Sequence, residues 1–141
     1  MLGKIQGIHH ITSIASDPKI NNDFFTSVLG FRRIKKTVNF DKPSIYHLYY
    51  ADPTGAPGTI LTYFPFPLRK RGCRGNGEVS AVRFAINPGS LQFWFDRLKR
   101  SRVQELREVE TFQSTMLSFL GPDGEALSLH DMHNSPFKPA N

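Results

Sequence analysis

GIHHITSIASDP, residues 7–18, decides the fold because it joins a short strand to the start of a helix. Residues 8–15 alternate between apolar and polar side chains, as a strand with one buried face does. Asp17 and Pro18 follow, and these residue types are favoured at the N-cap and at the first position of a helix. Gly30 suits the position just after a helix end. Between them lies an apolar stripe at helical spacing, formed by Ile20, Phe24, Phe25, Val28 and Leu29.

The rest of the first half reads as three more strands, at residues 31–39, 45–51 and 58–66. They are separated by two segments rich in turn-forming residues, DKP at 41–43 and DPTGAPG at 52–58. Such segments end strands because proline and glycine supply the dihedral angles that turns require. The first half therefore predicts the order β-α-β-β-β.

The second half repeats this order. Residues 77–86 read as a strand, and Ser90 is placed to cap a second helix. Further strands fit at 103–111, 113–120 and 125–132. The apolar face of this second helix consists of Leu91, Trp94, Phe95 and Leu98, at helical spacing.

The duplication predicts an α+β domain over residues 1–141, with two tandem βαβββ modules. The divisions are module one at 7–66, a linker rich in glycine and arginine at 67–78, module two at 79–132, and a C-terminal tail at 133–141. We expect the modules to form a curved mixed sheet with the helices outside. The concave face of such a sheet is suited to a pocket.

Composition narrows the classes of function. Of the 141 residues, 39% are hydrophobic and 21% are charged, which favours a soluble globular chain over a disordered one. No apolar run reaches the length of a membrane span, and the N-terminus lacks the apolar segment of a signal peptide. Cys73 is the single cysteine, so an internal disulfide is excluded. We expect a cytoplasmic protein with no membrane partner.

The net charge of +6 raises the question of nucleic-acid binding. One basic cluster lies in the linker and another lies around the end of the second helix, where cations complement the helix dipole. No nucleic-acid-binding motif or array of stacking aromatic residues accompanies them. We therefore expect no nucleic-acid partner, and an attraction toward small anionic molecules is an equally good reading.

The adjacent histidines of the first strand are the first candidates for chemistry. His10 and Thr12 share one strand face, and His9 lies on the other, because neighbouring strand residues point to opposite faces. The period alone leaves open which face looks into the concavity. The simpler interpretation packs one ring beneath the helix and leaves the other half exposed.

The order of these elements and their residues resembles the vicinal oxygen chelate superfamily. Within it, the chain is most similar to extradiol dioxygenases that cleave hydroquinones and chlorohydroquinones, which are glyoxalase-like proteins. The resemblance covers most of residues 7–98 and weakens after about residue 103. It rests on GIHHIT, DFFTSVLGFRRIKKTVNFD, YHLYYAD and GAPGTILTYFPFP, which occur in this order.

The resemblance implies a divalent metal, Fe(II) or Mn(II), held by two histidines and one carboxylate. Such a triad leaves positions open for the oxygens of an aromatic substrate or for O₂. The resemblance makes His10 the metal ligand and gives His10 and Thr12 catalytic roles. His9 then faces away from the metal and supports the strand.

The chain departs from the family at the other ligand positions. Family members are longer and have four modules, of which the first gives one histidine and the fourth gives the other histidine and the carboxylate. In this chain Ser80 or Ala81 lies opposite His10 in the repeat, and the carboxylate position falls on Thr62 and Ser128. We therefore expect a homodimer or another chain to complete the site, and the metal is absent if neither does.

Four side chains are candidates for substrate binding: His47, Thr62, Ser128 and His130. His130 follows Ser128 by two residues and so keeps its strand face. Phe64 and Phe119 are candidates for an aromatic slot. The short HDMH segment, residues 130–133, matches no metal-ligand spacing and is expected to be polar surface.

Two functions of different classes follow. The first is a metal-dependent ring-cleaving dioxygenase that takes a small aromatic substrate and O₂. The alternative is a non-catalytic protein that binds or sequesters an aromatic ligand with the same fold and no metal. A lyase of the glyoxalase I kind needs carboxylates on both end strands, and Thr62 and Ser128 argue against it.

Overall fold

The computed structural model divides the chain into two compact units, residues 1–71 and 72–141. The predicted tail at 133–141 lies outside the described residues, and so does part of the predicted linker. The structure describes residues 3–5, 7–67, 72–73, 75–112 and 114–131.

The first unit is a four-stranded mixed sheet with one helical segment. Its strands lie in the order β1-β4-β3-β2, with β1 parallel to β4 and the other pairs antiparallel. This confirms the predicted order of elements. The elements are β1 (His10–Ala15), α1 (Pro18–Asp23), β2 (Arg32–Val38), β3 (Tyr46–Ala51) and β4 (Ile60–Pro65).

The helix begins as predicted but does not continue as an α-helix. The Asp17 carboxylate accepts hydrogen bonds from two backbone N–H groups of the first turn, at 2.8 and 2.7 Å. After Asp23 the chain makes a wider π-helical turn, Phe24–Val28. This turn directs Phe25 and Leu29 into the core, whereas Ile20 is 58% exposed. The prediction of one regular apolar stripe that includes Ile20 is therefore wrong.

An aromatic core holds this helical segment on the sheet. The Phe25 ring lies 5.2 Å from that of Tyr50 and 5.0 Å from that of Tyr63. The Tyr50 hydroxyl donates to Asn21 Oδ1 at 2.9 Å, and both side chains are fully buried. This packing fixes the helix on the face of Tyr50 and Tyr63, so the alternate residues of β3 and β4 point to the opposite face.

The second unit repeats the arrangement. Its strands lie in the order β5-β8-β7-β6, again with a parallel pair, β5 and β8, at one edge. The buried residues Leu117, Phe119, Leu127 and Leu129 form one face of this sheet. The elements are β5 (Val82–Ile86), α2 (Leu91–Arg100), β6 (Gln104–Glu110), β7 (Thr115–Leu120) and β8 (Ala126–Asp131).

Neither end of α2 is capped in the usual way. Ser90 occupies the N-cap position, but its hydroxyl donates to the Asn87 carbonyl instead of accepting from the helix. At the other end Arg102 has a φ of 54°, and two backbone hydrogen bonds close a Schellman motif, from Arg102 N to Lys99 O and from Val103 N to Leu98 O. Module one has Gly30 at the equivalent position, with a φ of 77°.

The two mixed sheets with few helices confirm the α+β class and the repeated βαβββ order. In the described part of the chain, neither helix has the length and apolar character needed to cross a membrane.

Candidate functional site

The first sheet carries a polar face opposite its helical segment, which we call the His10 face. Strand pairing aligns Thr12 with Thr62, Thr62 with Tyr49, and Tyr49 with Lys35, so these four side chains form one row across the sheet. His10 precedes Thr12 by two residues and shares its face. The members of the His10 face are His10, Thr12, Lys35, His47, Tyr49, Thr62 and Phe64.

Two threonine hydroxyls join β1 to β4 on this face. Thr62 is fully buried, and its Oγ1 donates to Thr12 Oγ1 at 2.9 Å. The Thr12 hydroxyl proton is then left for another acceptor. The structure thus places Thr12 beside Thr62 and on the same face as His10, as the alternation requires. A substrate-binding role for either threonine stays a prediction.

His47 is held between two aromatic rings on the same face. Its ring centroid lies 4.1 Å from that of Tyr49 and 3.9 Å from that of Phe64. The Tyr49 hydroxyl and His47 Nδ1 are hydrogen-bonded at 2.8 Å. Burial lowers the pKa of His47, and its electrostatic interactions with His10 and Lys35 lower it further. The imidazole is therefore neutral at pH 7.

The second ring nitrogen of His47, Nε2, is a candidate contact for a ligand. Nε2 is buried and has no hydrogen-bond partner among the described residues. A buried polar atom without a partner costs free energy, so such an atom on an otherwise organised face indicates a place where a ligand or water binds. The neutral ring presents Nε2 as a donor or as an acceptor, depending on the direction of the bond to Tyr49.

The two adjacent histidines contact each other, contrary to the strict alternation expected of a strand. The strand begins at His10, so the alternation does not constrain His9. Their Nδ1 atoms lie 3.1 Å apart, and the rings meet edge to face at 5.3 Å. This contact requires one Nδ1 to carry the proton and the other to accept it. When His10 donates to His9, the lone pair of His10 Nε2 remains free for a metal ion.

The described residues do not by themselves form a metal site of the predicted kind. Within that part of the chain, no three histidine, cysteine, aspartate or glutamate side chains come together. His10 offers an imidazole, but Thr62, the β4 residue at the position where the carboxylate is expected, offers only a hydroxyl. A facial triad of two histidines and a carboxylate therefore does not fit these residues alone.

The second unit holds the remaining predicted residues, Ser128 and His130, on β8. Arg83 pairs with Ser128 as Thr12 pairs with Thr62, so Ala81 corresponds to His10. Ser128 is 3% exposed, and its hydroxyl has no hydrogen-bond partner among the described residues. His130 Nε2 is bonded to the Ser114 hydroxyl. Neither Ala81 nor Ser128 is a good ligand for a metal ion.

The two candidates for an aromatic slot lie on different faces of their sheets, so the slot stays a prediction for Phe64 and is wrong for Phe119. Phe64 contacts His47 on the His10 face, whereas Phe119 is buried and pairs with Leu127 on the opposite face from Ser128. The role of Tyr49 as the partner of His47 was missed. The alternation in YHLYY gives the signal, because it puts these two side chains two residues apart on one face.

Comparisons of this chain with known proteins agree on one family. Residues 7–129 match the model of the Glyoxalase/Bleomycin resistance protein/Dioxygenase superfamily. The chain is 44% identical over 132 residues to the "Putative ring-cleaving dioxygenase MhqE" of Bacillus subtilis (strain 168). It is 36% identical over 125 residues to the chlorohydroquinone/hydroquinone 1,2-dioxygenase of Sphingobium indicum. These matches cover 94% and 85% of this chain, but 43% and 38% of the two relatives.

Solved structures show the same fold. A crystal structure described as a "putative dioxygenase" of Bacillus subtilis superimposes with a TM-score of 0.86 at 40% identity, over 91% of this chain and 41% of that one. A glyoxalase family protein from Enterococcus faecalis, at 20% identity, matches with a TM-score of 0.70 over 89% of this chain and 98% of that one, and shows the fold alone. The chain therefore spans about two fifths of the dioxygenases it matches, and it belongs to the glyoxalase/bleomycin resistance protein/dioxygenase superfamily.

Proposed function

We propose that the chain forms one half of a metal-dependent site that cleaves the ring of hydroquinone- or catechol-type aromatics with O₂. The observation that carries the proposal is the His10 face, where His10, Thr12 and His47 lie on one side of one sheet, and the His47 Nε2 has no partner among the described residues. The names of the relatives support the substrate class, since one is a hydroquinone 1,2-dioxygenase. The proposal places this activity in the cytoplasm.

In this proposal the aromatic substrate lies in contact with His47. Phe64 and Tyr49 already hold the His47 ring from two sides, which keeps its orientation fixed. Nε2 then hydrogen-bonds a ring hydroxyl of the substrate, and the neutral imidazole does so without a charge to desolvate. The Thr12 hydroxyl, which already accepts from Thr62, donates its own proton to a second substrate oxygen.

The metal, Fe(II) or Mn(II), needs donors that the described residues lack. His10 supplies one imidazole, with His9 as the acceptor that sets its tautomer. The second histidine and the carboxylate come from a second copy of the chain or from another chain. We favour a homodimer, which brings two copies of the same surface together.

A non-catalytic binding protein is the second candidate. It is favoured by Ala81, Thr62 and Ser128, which stand where ligands are expected and are poor donors to a metal ion. In that case the same contacts of His47 hold an aromatic ligand, and no reaction follows.

The experiment measures metal content and oxygen uptake on the same preparation. The chain is loaded with Fe(II) without air, and bound iron is determined by elemental analysis. O₂ consumption is then followed with hydroquinone and with catechol. The proposal expects bound iron and oxygen uptake that His10→Ala abolishes and Ser13→Ala, on the opposite face of the same strand, leaves intact.

The other outcomes separate the two candidates. Saturable hydroquinone binding with no bound iron supports the binding protein. Iron and oxygen uptake that survive His10→Ala contradict the assigned ligand. Sedimentation of the loaded protein tests the dimer, because a monomer that retains full activity contradicts a site shared between copies.

A further inference from the structure

The second sheet carries a row of two arginines and two serines, one residue from each strand. Strand pairing aligns Arg83 with Ser128, Ser128 with Ser118, and Ser118 with Arg107. Paired residues share a face, so all four side chains leave the sheet on the same side. Adjacent strands lie about 4.8 Å apart, which sets the two serines side by side between the arginines. We call this set the arginine–serine row.

Among the described residues, the hydroxyl of Ser128 lacks the partner that a buried hydroxyl normally has. The residue is 3% exposed, and its Oγ makes no hydrogen bond with any described residue. Buried polar groups are nearly always bonded, so this hydroxyl calls for a ligand or a water molecule. The neighbouring Ser118 is half-buried and offers a second hydroxyl on the same face.

The two arginines are available to a ligand. Both are exposed, and within the described part of the chain neither forms an ion pair. A guanidinium offers several N–H donors in a planar fork that matches a carboxylate. Arg83 and Arg107 flank the serine pair, so an anion above the serines has a cation on each side.

A cleft of about 360 Å³ continues from the row along the same face. Arg107 and Ser118 line its polar end, and Leu120 and Ala126 line an apolar part. A volume of this size admits a small ring. Glu105 also lines the cleft, so the charge of the two arginines and this carboxylate sums to +1.

We propose that the arginine–serine row and the adjoining cleft bind a small aromatic carboxylate. The carboxylate lies at the serine pair between the guanidiniums, and the ring lies on Leu120 and Ala126. The arginines alone would accept any small anion, whereas the apolar side chains of Leu120 and Ala126 favour an anion that carries a ring. The proposal does not rest on ring cleavage, because all of these residues belong to the second unit and none belongs to the His10 face.

The test titrates the full chain with benzoate and measures binding by calorimetry at low salt. Benzamide has the same ring without the charge, and inorganic phosphate has charge without the ring. The proposal expects saturable 1:1 binding of benzoate that is at least tenfold tighter than that of either analogue.

Variants then assign the site. Arg107→Gln and Arg83→Gln each weaken benzoate binding about tenfold, since each removes a charge-assisted hydrogen bond. Ser128→Ala also weakens it, whereas Glu105→Gln strengthens it by removing the opposing charge. Arg100→Gln, which makes the same charge change on α2, has no effect.

Three results overturn the proposal. The first is no saturable binding of benzoate to the unmodified chain. The second is an equal affinity for phosphate, which removes the need for the apolar part of the cleft. The third is an equal loss in Arg100→Gln and Arg107→Gln, which shows an effect of net charge alone. The circular dichroism spectrum of each variant confirms that it is folded.

Discussion

Replacing His47 by phenylalanine tests two effects of its Nε2 atom. One is the free energy of folding that this buried nitrogen costs, and the other is the hydrogen bond that it offers to a ligand. The new ring keeps the stacking between Tyr49 and Phe64, at centroid distances of 4.1 and 3.9 Å, because phenylalanine is planar and close in size. The substitution removes the buried Nε2, which has no partner among the described residues, and it removes the bond from Nδ1 to Tyr49.

The magnitude follows from these two changes. Burying an unbonded polar atom costs about 1–3 kcal/mol, and a typical hydrogen bond contributes about 0.5–1.5 kcal/mol. Tyr49 is only half-buried, so water replaces part of its lost bond. We therefore expect His47→Phe to raise the free energy of unfolding by about 1 kcal/mol at pH 7.5 and to abolish hydroquinone binding.

The pH dependence gives a second readout on the same variants. The pKa of His47 lies below 6.5 in the folded chain, so below pH 6.5 the unfolded chain binds the proton first. Protonation of His47 therefore leaves the free energy of unfolding unchanged above pH 6.5, and this free energy decreases as the pH falls from 6.5 toward the lowered pKa. His47→Phe removes this part of the acid sensitivity.

The assay is urea unfolding at pH 7.5 and 5.5, together with calorimetric titration of hydroquinone. Tyr49→Phe is the matched control, because it breaks the same hydrogen bond and keeps Nε2. We expect this control to be less stable than the parent chain and to retain the acid sensitivity. A His47→Phe variant that is destabilised by 1 kcal/mol or more, or that binds hydroquinone normally, would falsify the reasoning.

Three further substitutions test the packing and the repeat. Arg102→Gly should raise the free energy of unfolding by about 0.5–1 kcal/mol in urea titrations, because glycine adopts its φ of 54° without strain; a loss of stability would show that the Arg102 side chain matters more. Tyr50→Phe should cost about 1–3 kcal/mol, since it leaves Asn21 Oδ1 buried and unbonded, and an unchanged unfolding midpoint would contradict this. Phe25→Ala should cost about 3–5 kcal/mol in thermal and urea unfolding, and a cost below 1 kcal/mol would exclude it from the core.

The repeated order of elements was predictable because its signals are local. Alternation, the Asp17 cap and Gly30 act over a few residues and do not depend on distant contacts. The π-helical turn after Asp23 was not predictable, since it satisfies the packing of Phe25 against Tyr50 and Tyr63, which lie far along the chain. Arg102 shows a related limit, because it has a φ of 54° at a position where glycine is preferred.

For the candidate site, the sequence alone predicted which residues share a strand face, but not which residues are neighbours across strands. The alternation correctly grouped His10 with Thr12 on one face of β1. It could not give the contact between His9 and His10, because His9 precedes the strand. Cross-strand neighbours require the register, which a single strand does not reveal.

The pairing of Arg83 with Ser128 shows why neighbours across strands could not be predicted from the sequence. The two residues lie 45 positions apart, from 83 to 128, and only the parallel pairing of β5 with β8 brings them side by side. Phe119 was assigned to the wrong face for a related reason. Its strand alternates cleanly, but only the packing decides which of the two faces is buried.

The most direct test of the account is a titration with Mn(II), followed by NMR of the five histidine side chains. A paramagnetic ion broadens the signals of the groups closest to it, so the measurement locates the ion without requiring turnover. The account predicts that the imidazole of His10 broadens at the lowest ratio of Mn(II) to protein. Broadening that begins at His130, or that reaches all five rings together, would place the ion away from the His10 face, on which the proposed function depends.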